Sequence, residues 1–558
     1  MAAGLRATNL QMDTARLRAA DRTLHRGRTS RGALALALAV AGCGGGASST
    51  DGGGGASSTD GGGGADGGGI ADWAIALDPS QPAGTLAPTL LGQYDLSGAL
   101  FHYDQQAQLP ALMQAAGFTE WRVGLGRWEF ATQLLPTLTD GTPCDLSRYP
   151  PQAAAPAGTT DLDLLQGRDW FTYADGSPVT IAMTADDNRY RLDYLRSVLD
   201  VVDQFGVAPY VDIDHMPRAL AANQTPVRTN AEMMGHCGLT WANKVSNVRP
   251  ADPLVFAAAV VGLVQRTVEG SGGARGRPVR YWEFWNEPED SYAWDPNVGD
   301  FGSWLQTAGA TLTALDAYRK QTANADGRAI KIGLGSFGSS DAAVGVLAGF
   351  PAPFDFISFH VECCDDPLIT ASRIQDVVDA RATSGHQNAE LILSEWTPVL
   401  VQGQLDPRTM DVALYDSTVL ALGATAGLAH THHAIFWNFF DRGFPGLGII
   451  DHDLSLQPAY YAYTLFAQVI GSGSSRLAAI GHSDGKLDDG MGAVLASRDA
   501  GGKVRVLLVN RNTSARTATV GATPTAVTVL SDPTRVPSAV PPSAVVTVPA
   551  RSIVLVER

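Results

Sequence analysis

Residues 281–288 read Tyr281-Trp282-Glu283-Phe284-Trp285-Asn286-Glu287-Pro288. An apolar, aromatic run of this length predicts a buried strand over Arg280–Glu287, with Pro288 stopping it and a carboxyl left at its end. Working outward, short apolar runs recur at Leu90–Asp95, Glu120–Gly124, Ala208–Asp212, Ile330–Ser336, Phe354–His360, Glu390–Glu395 and Ala434–Phe440. Between them lie helical patterns at Gln105–Ala116, Tyr190–Phe205, Pro253–Glu269, Phe301–Lys320, Ile374–Ala382 and Met410–Ala426. In the second of these, Leu192, Leu195, Val198, Leu199 and Val202 recur at steps of three and four, one apolar helix face. Eight strands alternating with helices predict parallel β/α units, and eight closes a (β/α)8 TIM barrel. An open doubly wound sheet fits the same alternation; the count and the segment lengths favour the barrel.

The texture changes after Leu465. Gly492–Ala496, Lys503–Asn510, Thr517–Val520, Ala526–Leu530, Ala544–Pro549 and Ser552–Val556 are short, β-branched and punctuated by Gly, Pro and Asn. They predict a C-terminal antiparallel β-sandwich over 466–558, a packing partner for a barrel unit over 70–465. Two strand-to-helix connections are long, about 60 residues after the second strand and about 40 after the third, and both belong to the barrel mouth.

Upstream, residues 1–42 carry seven Arg and two Asp, and the apolar run Ala33–Ala41 leads to Gly42-Cys43. A basic region, a short apolar core and small residues before a cut predict a secretory signal over 1–43. Val40-Ala41-Gly42-Cys43 resembles the bacterial lipobox, which implies a lipid on Cys43 and an exported, membrane-anchored protein at the outer membrane or cell surface. A plain signal peptide is the alternative, and Met12 is an alternative start. Residues 44–69 hold 14 Gly and the twice-repeated GASSTDGGG of 46–54 and 55–63, a flexible tether.

Of the 558 residues, 61 are Gly, and the net charge is -16. Removing residues 1–42 removes a net +5 and leaves the remainder at -21, a charge that disfavours nucleic acid as a partner. Four Cys remain besides Cys43, an even number that suits an oxidising compartment. Pairing Cys144 with Cys237 leaves Cys363 and Cys364 as free thiols or a vicinal disulfide.

The chemistry sits at two strand ends. The fourth strand delivers Glu287 to the mouth, and the seventh, Leu391-Ile392-Leu393-Ser394-Glu395-Trp396, delivers Glu395. Two carboxyls at one end of a barrel are the minimum equipment for cleaving a glycosidic bond: one protonated to help the leaving oxygen depart, one ionised to attack. Aromatic side chains nearby supply flat faces for sugar rings and a dry setting that raises the acid's pKa. Either Glu alone reads as a solvated strand end or an ion-pair partner.

Trp-Asn-Glu-Pro on the fourth strand with Ser-Glu-Trp on the seventh resembles clan A glycoside hydrolases, and within them family 39, from about Leu90 to Leu465. The resemblance implies a retaining glycosidase of β-linked oligo- or polysaccharides, with Glu287 as acid/base and Glu395 as nucleophile. It implies substrate-binding roles for Asn286 at the sugar 2-hydroxyl, Trp437 beneath the reactive sugar, Arg122 behind the nucleophile, His360 at the cleft, and Trp285. For His360 a hydrogen-bonded core position stays equally open, and Glu283 is expected to be a barrel-interior acceptor. The pattern departs from the family after Arg122, where Val123-Gly124 stands, and at Glu362, where clan members often carry Tyr.

The reading calls for no metal and no cofactor, and expects a monomer whose partner is carbohydrate. His430 and His432 could share a face and bind a metal, but no third ligand is nameable, and packing or hydrogen bonding is expected. Asp365-Asp366 is expected to be solvated. A non-catalytic glycan-binding protein and a polysaccharide lyase are the rival functions.

Overall fold

The computed structural model describes residues 72–95, 103, 106–124, 129–130, 190–191, 193–213, 216, 249–269, 278–289, 294, 301–362, 364–398, 405–438, 448–471, 474–480, 482, 484–487 and 490–558. The signal, Cys43, the tether, most of both long connections, Cys144, Cys237 and Cys363 lie outside the described residues.

Eight parallel strands close the barrel: β1 Gly92–Asp95, β2 Glu120–Gly124, β3 Ala208–Ile213, β4 Tyr281–Phe284, β5 Lys331–Phe337, β6 Phe356–Val361, β7 Glu390–Trp396 and β8 His430–Ala434. Each pairs with its sequence neighbours, and β8 closes on β1 through His432 opposite Gly92. Gly92 leaves no room for a side chain, because a Cβ there would lie 2.4 Å from His432 and from the Thr431 carbonyl. A main helix follows each strand: α1 Leu109–Ala115, α2 Asp193–Gln204, α3 Pro253–Glu269, α4 Phe301–Gln321 (with a short helical turn at Ala325–Arg328 after it), α5 Ser340–Leu347, α6 Pro367–Thr383, α7 Met410–Ala426 and α8 Pro458–Val469. The expected barrel is the one observed.

Two strands differ from expectation. β4 ends at Phe284, because Trp285 and Glu287 take positive φ values of 74° and 46° and leave the ladder. The alternation that would align Glu283 with Glu287 therefore breaks after Phe284. β8 occupies His430–Ala434 rather than Ala434–Phe440. Its interior side chains His430 and His432 are polar and bond Glu120 inside the barrel, so its apolar run marks the segment just beyond the strand. β8 also carries the expected hydrogen bonding: His430 Nδ1 and His432 Nε2 lie 2.6 and 2.9 Å from Glu120 Oε2. These are hydrogen-bond lengths, shorter than the ~3.3 Å between two ligands on a tetrahedral zinc with bonds of about 2.0 Å. Although burial opposes it, the charge of His430 holds Glu120 down at about 2.

The C-terminal unit is a seven-stranded sheet and a three-stranded sheet, with a separate apolar core of Val, Leu and Ala residues between them. One edge strand of the large sheet is Ala76–Thr85, antiparallel to Ser475–Ile480, and Trp73–Ala74 joins the small sheet beside Arg516–Thr519. The sandwich thus takes strands from upstream of the barrel, beyond the 466–558 span read from sequence. Leu495, Leu507, Val509, Ile553 and Leu555 on the large sheet belong to the same buried cluster as α7 and α8 of the barrel. Arg511 also reaches Asp366 at 3.1 Å. Asp365 is exposed, as expected, and Asp366, still partly exposed, caps α6 by accepting from Leu368 N at 3.0 Å.

Candidate active site

The site is built around Arg122 on β2, whose side chain is completely buried. Its Nε donates to Glu283 Oε2 at 2.7 Å. Its Nη2 lies at 3.0 Å from Asp212 Oδ2, 2.9 Å from Asn286 Oδ1 and 2.6 Å from Ser336 Oγ. Its Nη1 faces Glu395 Oε2 at 3.5 Å. Burial works against the guanidinium charge, but Glu283 and Asp212 together hold its pKa above the ordinary value. Glu283 also accepts from Tyr210 OH at 2.8 Å, which makes it the expected interior acceptor.

Glu287 stands just past the end of β4, its backbone N donating to the Ser336 carbonyl at 2.7 Å. Its Oε1 lies 2.8 Å from His360 Nδ1. His360 Nε2 meets Ser336 Oγ at 2.5 Å and stands 3.8 Å from Glu395 Oε2. One imidazole therefore reaches towards both candidate carboxyls. Burial, reinforced by Arg122, lowers the His360 pKa to about 3, so the ring is neutral at ordinary pH. With Arg122 donating to Ser336 Oγ, the chain of donors runs from Arg122 through Ser336 O–H to His360 Nε2. Nδ1–H then points at Glu287.

The polypeptide reaches this arrangement through unusual backbone. Gly335 takes φ +115° and Ser336 φ 60°, and the β5–β6 register shifts between Ser358 and Phe359 beside them. A left-handed Ser is uncommon, and here it holds Ser336 Oγ within reach of Arg122, His360 and Ser394. Three left-handed non-glycine residues, Trp285, Glu287 and Ser336, cluster at one site.

The structure brings Arg122, Asn286, Glu287, His360 and Glu395 together. It places the two tryptophans differently. Trp285 is 2% exposed and packs edge-on against Trp294 at 5.0 Å. Trp437, past β8, is also 2% exposed; it stacks on His452 at 6.0 Å and donates from Nε1 to the Asp451 carbonyl. Sequence reasoning passes over Ser336 and Tyr210, and over Asp212 as a partner of Arg122. A lone polar residue in an apolar strand was the only signal available for them.

Glu362 is buried, and its carboxyl belongs with His360 and Glu395 to a group whose ligand-type atoms all lie within 4.8 Å of one another. Burial raises the pKa values of both carboxyls, helped at Glu395 by the charge of Glu362 and at Glu362 by the charge of Glu287. On the same loop Cys364 is disulfide-bonded, so it is not a free thiol.

No family model matches the chain, and no curated protein matches it. Solved structures do. A monomeric β-xylosidase from Caulobacter crescentus CB15 superposes with a TM-score of 0.55 at 15% identity, covering 87% of this chain and 99% of its own. A glucosidase from Croceicoccus marinus gives 0.56 at 14% identity, covering 88% and 99%. An α-L-arabinofuranosidase from Thermotoga maritima gives 0.52 at 13% identity, covering 87% and 99%. The chain shares the barrel-plus-sandwich fold of glycosidases that act on different sugars.

Proposed function

We propose that this protein is a retaining glycoside hydrolase acting on β-linked oligo- or polysaccharides, with Glu395 as nucleophile and Glu287 as acid/base. The observation that carries the reading is the placement of two buried carboxyls on either side of His360, with Arg122 Nη1 facing Glu395. Arg122 favours the ionised form of Glu395, against the burial that raises its pKa. Glu287, on the far side of the imidazole, is the carboxyl left to carry the proton. The likeness to solved glycosidases supports the reaction class but not a sugar, because those structures differ in theirs. The residue-level resemblance to family 39 is the finer form of the same proposal.

In the first step Glu395 attacks the anomeric carbon while the bond to the leaving oxygen breaks. The released electron pair takes the proton from Glu287. In the second, Glu287 removes a proton from water, whose oxygen displaces Glu395 and frees the sugar with its anomeric configuration retained. Asn286, held by Arg122 at 2.9 Å, is placed to meet a sugar hydroxyl.

Anchoring to the bacterial envelope through a lipid on Cys43 belongs to the same proposal, supported by the lipobox-like run and by the disulfide at Cys364.

The test is product analysis on aryl β-glycosides and a polysaccharide panel, with the first-formed anomer followed by NMR. Wild type is expected to release the β-anomer first, and Glu395→Ala to lose at least about a thousandfold in kcat. Equal cleavage by Glu395→Ala would sink the nucleophile assignment, first release of the α-anomer would sink retention, and unsaturated ends would reveal a lyase.

A further inference from the structure

The proposed mechanism leaves Glu362 without a task. It lies one residue beyond β6, it is 6% exposed, and neither of its carboxyl oxygens meets a hydrogen-bond donor among the described residues. An ionised carboxylate in such a place is costly, because it has given up water and gained no donor.

Its surroundings make the cost worse. Asp212 on β3, Glu283 on β4, Glu287 beyond β4 and Glu395 on β7 all converge on the same interior, and all are buried. Among the described residues Arg122 on β2 is the cation that faces them, and Tyr94 on β1 presents a ring face to it at 4.7 Å from the centroid. His360 on β6 is neutral. The Arg122 Nε and Nη2 atoms are engaged by Glu283, Asp212, Asn286 and Ser336, so only Nη1 remains, and it points at Glu395. One guanidinium cannot hold five carboxylates ionised in a buried site; protons must stay on some of them.

Geometry decides which. Glu395 has Arg122 within 3.5 Å, whereas among the described residues Glu362 has no ion-pair cation and no hydrogen-bond donor but lies against the Glu395 carboxyl. We propose that Glu362 stands protonated and donates its O–H to the Glu395 carboxylate, so that the nucleophile and Glu362 hold one proton between them. This makes Glu362 a positioning residue that acts through Glu395, and it rests on the glycosidase reading for its catalytic meaning only. Burial raises both members of the pair above the usual carboxylate range, in keeping with a retained proton.

The consequence follows the charge through the reaction. While Glu395 is ionised, the O–H of Glu362 orients it and Arg122 balances it. When Glu395 bonds to the anomeric carbon its charge disappears, and Glu362 keeps its proton. When water displaces the sugar, the electron pair returns to Glu395 in front of a donor already in position. No proton leaves Glu362 in either step. Above the pair's upper titration Glu362 ionises, the donor is lost, and two carboxylates face each other.

Infrared difference spectra of the full chain test the proton directly. Wild type minus Glu362→Gln at pH 7 is expected to contain the carbonyl stretch of a neutral carboxylic acid, shifted when Glu395→Gln is the background. Absence of that band at pH 7 overturns the proposal whether or not the protein hydrolyses any glycoside. If the band is present but no aryl glycoside is cleaved, the shared proton stands and the glycosidase reading fails instead.

Kinetics supply the second measurement, on the aryl glycoside that wild type cleaves best. Glu362→Gln keeps a neutral donor and is expected to stay within about tenfold of wild type, with a shallower alkaline limb because one titration is gone. Glu362→Leu is expected to lose roughly ten- to hundredfold with its thermal midpoint preserved. If Glu362→Gln falls as far as Glu362→Leu, or if chelator removes wild-type activity and a divalent ion restores it, Glu362 is not a neutral donor and the proposal is wrong.

Discussion

Arg122 joins the stability of this barrel to its chemistry. Replacing it with Met leaves Glu283 and Asp212 as buried carboxyls without their cation, a loss of about 3–5 kcal/mol. Urea unfolding should show the lowered midpoint, and the variant should also be inactive, because Glu395 loses the partner at 3.5 Å. Ser336→Ala is milder. Arg122 Nη2 keeps Asp212 and Asn286, but His360 Nε2 loses its donor, at a cost of about 1–3 kcal/mol. The Ser336→Ala deficit is expected mainly in kcat, since Glu287 is oriented by the ring that Ser336 fixes; an unchanged kcat would remove Ser336 from the site.

Titration at the same scale gives the pH dependence of stability. Burial lowers His360 and His433 to about 3, so the unfolded chain takes up protons between about pH 6.5 and 3 that the folded chain refuses. Stability therefore falls as pH drops through that window. Glu120, held at about 2 in the fold, adds to the fall below about pH 4.5. Asp416 on α7 has the opposite sign. It is buried with no donor for either oxygen among the described residues, and burial raises its pKa. Its contribution is present below about pH 3.9 and is lost as pH rises towards the raised value. Thermal midpoints of Asp416→Asn measured against pH are expected to lose that decline and to exceed wild type at pH 8.

At the scale of elements, strand count and helix faces were legible because the apolar periodicity of a barrel is local. Glu120–Gly124, Pro253–Glu269 and Met410–Ala426 match their expected bounds residue for residue. β8 was misread because its interior is made of histidines paired to Glu120, 310 residues away in sequence, a contact that no local window contains. The strand Ala76–Thr85 was missed for another reason. It holds Pro79 and Pro82, which break a strand pattern but are tolerated at a sheet edge, and the edge is where it lies. Glu287 and Glu395 could be picked out because strand ends are visible in sequence. Their partners Ser336, Asp212 and Tyr210 come from other strands and reveal themselves only when the barrel closes. Asp366→Ala removes the α6 cap and the Arg511 contact, and a loss of about 1 kcal/mol is expected in unfolding measurements.

For the whole molecule, the barrel and the sandwich share one buried apolar cluster through α7 and α8, so neither unit is expected to unfold alone. A single calorimetric transition, with tryptophan fluorescence and far-ultraviolet dichroism coinciding, checks this. The chain enters the sandwich through Trp73–Ala74 and Ala76–Thr85 before it reaches β1. The strand Ala76–Thr85 lies antiparallel along Ser475–Ile480, with hydrogen bonds across the strand direction. Tension drawn along the N-terminal side would load those bonds together in shear, and the sandwich would carry the force before any of it arrived at Arg122. The two strands act as a mechanical ground, so tugging on the upstream chain leaves the spacing of Glu287, His360 and Glu395 undisturbed.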